Sequence, residues 1–396
     1  MTRLKNKKPI HPLAFSYYFF AVVLIALVGL GDAVYLAISH YRVYMDIGYQ
    51  SFCTISRSLN CDTVSQSRWA ILLNVPVSVW AIWGYGFFLA LLSFAWSKKE
   101  LGKRMWTFLF LIALCFTLYS FFLAFVSTYR IKSYCVMCIL SYAVNLFLLY
   151  FSWLIRRRFH CEPVFKSFFL DIRHLLSHPK ITGSLLILFG TIAVLLIFYF
   201  PAYWQYSPPG ISSEIFTGTT QDGHPWIGAQ EPELVIEEFS DYLCFQCKKM
   251  HFFLRRMIQV YPDKIRLIHR HFPMDHAINP VVKEPFHEGS ASLALFSLYL
   301  AEKGKFWEIN DILFNIPRHE NTINLQDLAQ QAGITLEDLN PVFQDQNLWV
   351  RLQQDIQAGI VYNLKGTPAF IIDGKAYEGQ IPAEVFHNHG IMKTKK

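Results

Sequence analysis

Six of the eight cysteines fall into three close pairs: Cys53 with Cys61, Cys135 with Cys138, and Cys244 with Cys247. The last two pairs have the spacing Cys-x2-Cys. Sulfurs set so close can do three things. They can form a structural bridge, but closing so short a loop removes little entropy from the unfolded chain. They can bind zinc, for which a double Cys-x2-Cys is a known ligand pattern. Here no nearby His or Cys completes either set at finger-like spacing, so no metal is expected. They can also exchange thiols for disulfides. The first sulfur of a Cys-x2-Cys that opens a helix lies at the positive end of the helix dipole, which favours thiolate. Of the remaining two, Cys115 lies within an apolar run and reads as a small packing residue, and Cys161 as a reduced bystander.

The elements that must position these sulfurs are largely apolar. The 396 residues are 53% hydrophobic and 16% charged, with a mean hydropathy of +0.27. A soluble chain carries about 25% charged residues. This composition excludes a disordered or fibrous chain and argues against one large soluble enzyme. Five apolar runs reach the length of about 20 residues that spans a bilayer, near 13–38, 70–96, 105–128, 135–155 and 181–204. Residues 1–203 hold 19 Lys and Arg against 6 Asp and Glu, and the remainder is net acidic. No basic face on a folded domain is expected, so nucleic acid is not a partner.

The basic residues sort by connection. Fourteen lie in the N-terminus (Arg3, Lys5, Lys7, Lys8), the second connection (Lys98, Lys99, Lys103, Arg104) and the fourth (Arg156, Arg157, Arg158, Lys166, Arg173, Lys180). Five lie on the other side: Arg42, Arg57, Arg68, Arg130 and Lys132. Positive residues stay inside. The N-terminus is therefore expected in the cytoplasm and residues after 204 outside. The first run is too long for a signal peptide and is expected to be retained. All six paired cysteines then face the oxidising side. Asp32, inside the first run, is either a functional intramembrane charge or solvated near the outer interface, the latter being favoured. Tyr206-Ser-Pro-Pro-Gly210 and the polar run to about Gln230 read as a linker.

Beyond the linker the pattern is a strand at 232–239, a helix opened by Cys244-Phe-Gln-Cys247, a strand at 265–272, helices over about 285–359, and Gly366-Thr-Pro before a last strand. This order, with Gly304-Lys-Phe-Trp307 in the helical segment, resembles the thioredoxin fold with a DsbA-like helical insertion over about residues 231–390. The resemblance implies a cis proline at Pro368 that, with Thr367, lies against the disulfide and binds substrate peptide. It also implies a thiol-modulating buried acid at Glu238, six residues before Cys244. Family members usually carry proline after the first cysteine. Here Phe245-Gln246 stands between the sulfurs, which leaves the redox potential open.

The first 155 residues combine the loop pair Cys53 and Cys61, Ser67-Arg-Trp69, Val75-Pro-Val-Ser78, and Cys135-Val-Met-Cys138 with Tyr142 four residues on. Read alone, Ser67 is a cap or turn hydroxyl or a site residue, and Tyr142 an interfacial belt tyrosine or a site residue. Arg68, Trp69 and Asn74 either shape a pocket or anchor at the interface. Together the motifs resemble the vitamin K epoxide reductase family over about residues 14–155. That resemblance implies a four-helix bundle with Cys138 beside a quinone, Cys135 exchanging with Cys61, and Cys53 meeting an external partner. Ser67 and Tyr142 would lie near the quinone.

The whole chain resembles bacterial fusions of such a bundle to a thioredoxin-like domain. The expected architecture is a membrane α-helical bundle at 1–155, then a cytoplasmic loop, a fifth span at about 181–204 and a linker over 156–230, and a soluble α/β domain at 231–396. The fifth span carries the soluble domain outside. The resemblance implies an oxidoreductase of the bacterial plasma membrane that forms disulfides in reduced exported proteins, with ubiquinone or menaquinone as acceptor. Two other readings stay open: a disulfide reductase or isomerase, and a non-catalytic peptide-binding anchor.

Overall fold

The computed structural model describes residues 13–55, 58–96, 104–159, 163–205, 209–210, 214–315, 325–339 and 341–391. Arg3, Lys5, Lys7, Lys8, Arg57, Lys98, Lys99, Lys103, Cys161 and the first residues of the expected linker, Tyr206 to Pro208, lie outside them. The chain divides into two compact units, 1–204 and 205–396.

The first unit is helical. Helix α1 (Phe15–Met45) leads to a short α2 (Cys61–Ser65), and a two-residue hairpin, β1 (Ile71–Leu72) and β2 (Val75–Pro76), precedes α3 (Val77–Ala95). Next come α4 (Trp106–Val126), which runs on through a π-helical turn to Ile131, then α5 (Val136–Phe159), α6 (Val164–Leu176) and α7 (Pro179–Tyr199). Five of these helices, α1, α3, α4 with its π turn, α5 and α7, are long and apolar enough to cross a membrane. Helices α1, α3, α4 and α5 share one apolar core that includes Val22, Ala26, Phe88, Trp106 and Leu148. Small residues let the backbones close in, as they do between membrane helices. A Cβ on Gly29 of α1 would come within 2.6 Å of the Tyr85 ring of α3 and 2.8 Å of Val144 of α5.

Polar groups inside this bundle are paired across helices. Tyr85 Oη donates to Asn145 Oδ1 at 2.8 Å, and Asn145 Nδ2 donates to Ser120 Oγ at 2.9 Å. The segment expected as a plain cytoplasmic loop contains α6, which is amphipathic. Its Asp171, fully buried, accepts the Thr107 and Phe108 amides at 3.0 and 3.2 Å and so caps the N-terminus of α4.

The second unit is built on one six-stranded sheet, order β3-β4-β6-β5-β7-β8. Its strands are β3 (Phe216–Thr219), β4 (Pro225–Gly228), β5 (Leu234–Ser240), β6 (Ile265–His271), β7 (Ala369–Ile372) and β8 (Lys375–Glu378). Among the described strands of this sheet only β5 and β6 run parallel, joined by α8 (Phe245–Val260). A helical segment follows β6, with α9 (Ser290–Glu302), α10 (Phe306–Asn315), α11 (Leu325–Ala332), α12 (Leu336–Leu339) and α13 (Gln346–Val361), and α14 (Ala383–Asn388) ends the unit. The run to Gln230 is therefore not all linker. Residues 216–228 form the antiparallel pair β3–β4, and β4 pairs onto β6 through Trp226, Ile227 and Gly228. Gly228, at φ +121°, lies so close to the Ile265 carbonyl that a side chain has no room.

Candidate functional site

In the helical unit the chain brings four sulfurs together by backbone pairing. Residues 58–60 run parallel to residues 133–134. The Tyr134 amide donates to the Ser58 carbonyl at 2.8 Å, and the Asn60 amide donates to the Tyr134 carbonyl at 3.0 Å. The next residue along each segment is a cysteine, Cys61 and Cys135. Cys53, Cys61 and Cys135 form one buried cluster against which Cys138, Leu36, Val64 and Met137 pack.

Cys53 and Cys61 are joined as a disulfide with Cα atoms 5.7 Å apart. Cys61 opens α2, which Asn60 caps by accepting the Thr63 amide at 3.0 Å. One carboxylate ties the Cys53 loop to that helix. Asp62 Oδ2 accepts the Ser51 amide at 3.2 Å and the Thr54 hydroxyl at 3.1 Å. Cys53 is wholly buried as a result. Cys135 precedes α5, and its sulfur accepts the Cys138 amide at 3.1 Å.

Cys135, Cys138 and Tyr142 recur at three and four residues, so they share one face of α5. Tyr142 pairs with Ser127. Ser67 follows α2 and is 2% exposed, and its hydroxyl has no partner among the described residues. Asp32 is not solvated as expected. It is buried on α1 and accepts a hydrogen bond from Ser141, the residue before Tyr142. An isolated charge in apolar surroundings is costly, and a hydroxyl on the facing helix offsets part of that cost. Arg68 lies over the Trp69 ring at 4.9 Å, and Trp69 packs edge-on to Phe122. Asn74, with Leu73, forms the left-handed turn of the β1–β2 hairpin.

The second site stands at the C-terminal end of β5. Cys244 caps α8, its sulfur accepting the Cys247 amide at 3.3 Å. The Cys244 thiol also reaches the Thr367 carbonyl at 3.3 Å, and the Thr367–Pro368 peptide is cis. Cys247 is fully buried and Cys244 partly exposed. The hydrogen bond from Cys247 holds the Cys244 thiol down at about 6 against the opposing effect of burial, and the His287 charge adds to the lowering. Burial and the Cys244 charge push Cys247 well above the usual thiol range. One sulfur is thus suited to attack and leave, the other to resolve.

Glu238, with no exposed side chain, lies between His251 and His269, at 3.3 and 3.7 Å from their Nδ1 atoms. Burial pushes its carboxyl up, but the two imidazoles outweigh it and hold the group at about 2. His251 carries the network on to Asp311, which Arg255 grips through both carboxylate oxygens. The acid whose charge reaches both thiols is Asp241. It is fully buried three residues before Cys244 and bonded to His287 at 3.0 Å. Sequence reasoning missed this pair. Asp241 has a local signal in its spacing to Cys244, whereas His287 comes from beyond β6 and has none. Among the described residues no three His, Cys, Asp or Glu side chains form a metal-binding group.

Curated relatives and solved structures cover parts of the chain. A Na(+)/H(+) antiporter NhaA 3 of Salinispora tropica is 25% identical over 155 residues, which is 38% of this chain and 22% of that protein. A Na(+)/H(+) antiporter NhaA 1 of Mycobacterium sp. is 27% identical over 38% of this chain and 24% of its own length. The chain thus spans about a quarter or less of the curated relatives it matches. A thioredoxin-like oxidoreductase from Silicibacter pomeroyi matches with TM-score 0.36 and 19% identity over 43% of this chain and 91% of that one. Oxidised BdbD from Bacillus subtilis matches with TM-score 0.35 and 20% identity over 43% and 94%. Two family models match without overlap. The vitamin K epoxide reductase family covers residues 20–153. The DSBA-like thioredoxin domain covers residues 235–389. Five of the described helices are long and apolar enough to cross a membrane, and the chain joins a region that matches the vitamin K epoxide reductase family to one that matches the DSBA-like thioredoxin domain.

Proposed function

We propose that this protein oxidises thiols of exported proteins to disulfides and delivers the electrons to a membrane quinone. The observation that carries the reading is the pairing of residues 58–60 with 133–134, which seats the Cys53–Cys61 disulfide against Cys135. A disulfide beside a second dithiol is what a relay by exchange requires.

The steps run as follows. A substrate thiolate attacks Cys244 of the oxidised domain, with the substrate peptide lying along Thr367 and Pro368. A second substrate thiol then releases the reduced Cys244–Cys247 pair. Cys244 thiolate next attacks Cys53, Cys61 leaves, and Cys247 resolves the mixed disulfide. Freed Cys61 attacks Cys135 of an oxidised Cys135–Cys138 pair, and Cys138 leaves as thiolate. Cys53 then attacks Cys61 to restore the loop disulfide, and Cys135 is released. Because Cys53 is wholly buried, the Ser51–Thr54 loop must leave Asp62 before the soluble domain's thiol can reach it.

Two groups support a quinone beside this pair: the Ser67 hydroxyl is a buried donor with no partner among the described residues, suited to a carbonyl oxygen, and Tyr142 adds an aromatic ring one turn from Cys138. Ser67 and Tyr142 would hold the ring beside Cys138. Bound there, a quinone supplies an acceptor for the two electrons and two protons that leave when Cys135 and Cys138 close their disulfide. Ubiquinone and menaquinone share that chemistry. The positive-inside asymmetry supports a cytoplasmic N-terminus and an extracytoplasmic redox domain in a bacterial plasma membrane.

The test is anaerobic quinone consumption by the purified protein with a reduced, unfolded secreted protein as donor. Quinone should fall one-for-one with disulfides formed, and Cys138→Ala and Cys244→Ala should both be inactive. Quinone left untouched by the wild type would sink the oxidase reading in favour of a reductase or a peptide-binding anchor.

A further inference from the structure

The dipeptide between Cys244 and Cys247 is Phe245-Gln246, which carries no charge, yet a buried carboxylate stands directly behind the pair. Asp241 forms the corner between β5 and α8. Its backbone carbonyl accepts the Cys244 amide at 3.0 Å. Its side chain accepts the Leu243 and Met274 amides, each at 2.6 Å, so it cannot swing away from the thiols. An anion held there works against a thiolate on Cys244. The third partner of that carboxylate is His287, whose Nδ1 lies 3.0 Å from Asp241 Oδ2.

His287 is a built feature rather than a loose surface side chain. Its backbone is left-handed, at φ +41°, and its carbonyl accepts the Ser290 amide at 3.0 Å. Phe286 stacks on its ring with centroids 3.8 Å apart. Asp275 fixes the following Gly289 by accepting its amide at 2.9 Å. The imidazole remains 18% exposed and can take a proton from water.

We propose that His287 is a positioning residue for the thiol chemistry: protonated, it neutralises Asp241 and supplies the positive charge that stabilises the Cys244 thiolate in place of a cation between the cysteines. A stabilised thiolate is a better leaving group and makes the Cys244–Cys247 disulfide the stronger oxidant. The lowering of the Cys244 thiol has His287 among its causes, which agrees with this geometry. The charged and titratable groups near the imidazole include Asp241, which bonds it, Cys244, whose thiol its charge lowers, Asp275, which holds Gly289, and the sequence neighbours Glu284 and Glu288.

The inference rests on Cys244 being the reactive sulfur of the proposed relay. Its test needs no quinone, so it can fail while the relay stands. The full-length protein, reduced in detergent, is alkylated with iodoacetamide across pH, and the rate is followed on the Cys244 peptide by mass spectrometry. His287→Gln, which keeps a hydrogen-bonding side chain without the charge, should move the midpoint up by about one pH unit. His287→Lys should hold it near the wild type, and Lys248→Gln should shift it less than His287→Gln. Coincident wild-type and His287→Gln profiles overturn the proposal. So does an equal displacement in His287→Gln and His287→Lys, which would mark a structural role, or a larger shift in Lys248→Gln.

Discussion

Glu238 and His251 face each other inside the soluble unit with no exposed side-chain surface, and their charges depend on each other. The Glu238 carboxyl is held at about 2, below its ordinary value, so its contribution to stability is present above about pH 4.3 and is lost as pH falls through about 2. His251 is opposed by burial, but Asp311 and Glu238 raise it overall. Its contribution is present below about pH 6.5 and is lost as pH rises through the raised value. The pair therefore stabilises the domain most between about pH 4.3 and 6.5. Glu238→Gln leaves a buried imidazolium short of one partner, and breaking such a pair costs about 3–5 kcal/mol. Amide hydrogen exchange on β5 and α8 peptides of the full-length protein at pH 5.5 checks this. Protection should fall strongly there and differ less from the wild type at higher pH. Unchanged exchange would mean that the pair holds nothing. The buried acid at this position was expected from the family resemblance, but its partners were not. His251, His269 and Asp311 lie on α8, β6 and α10, and only the fold brings them to one carboxylate.

At the scale of elements, two kinds of contact decide whether the sulfurs meet. One is the short parallel pairing of residues 58–60 with 133–134. Tyr134→Pro removes the amide that donates to Ser58 and so one of its two backbone bonds. A net hydrogen bond contributes about 0.5–1.5 kcal/mol, so a Cys61–Cys135 mixed disulfide trapped in a Cys53→Ala, Cys138→Ala background should form several-fold less in Tyr134→Pro. Equal yields on non-reducing gels would show that the pairing does not set the cysteine register. The other contact is the close approach at Gly29. The Tyr85 ring there is anchored through its hydroxyl to Asn145 and cannot simply turn aside. Gly29→Ala should cost about 1–3 kcal/mol of overpacking, read as a lower melting temperature in detergent. The spans themselves were legible because a bilayer demands length and apolarity, which single residues report. The pairing of 58–60 with 133–134 was not, since neither segment has a strand-like pattern. The β3–β4 hairpin was hidden in the same way. It is short, carries Gly218 and Pro225, and gains its place only by pairing with β6, some forty residues on.

At the scale of the whole molecule, two separate arguments lead to one arrangement. The described residues of the helical unit hold five membrane-length helices, an odd number, and fourteen of its nineteen basic residues fall in the N-terminus and in the second and fourth connections. If those residues face the cytoplasm, the loop before α2, the start of α5 and the domain after α7 all face the opposite side. That side would then collect all six paired cysteines, which is where disulfide chemistry can persist. A reversed topology would put three redox pairs in a reducing compartment. In right-side-out cells treated with a mild reductant, an impermeant maleimide should therefore label Cys244 without permeabilisation. Ser177→Cys, exposed between α6 and α7, should label only after the membrane is opened. The opposite pattern would invert the topology and leave the relay without an oxidising compartment to serve. Label reaching both sites in intact cells would deny that α7 crosses the membrane, and the charge pattern could then no longer place the soluble domain outside.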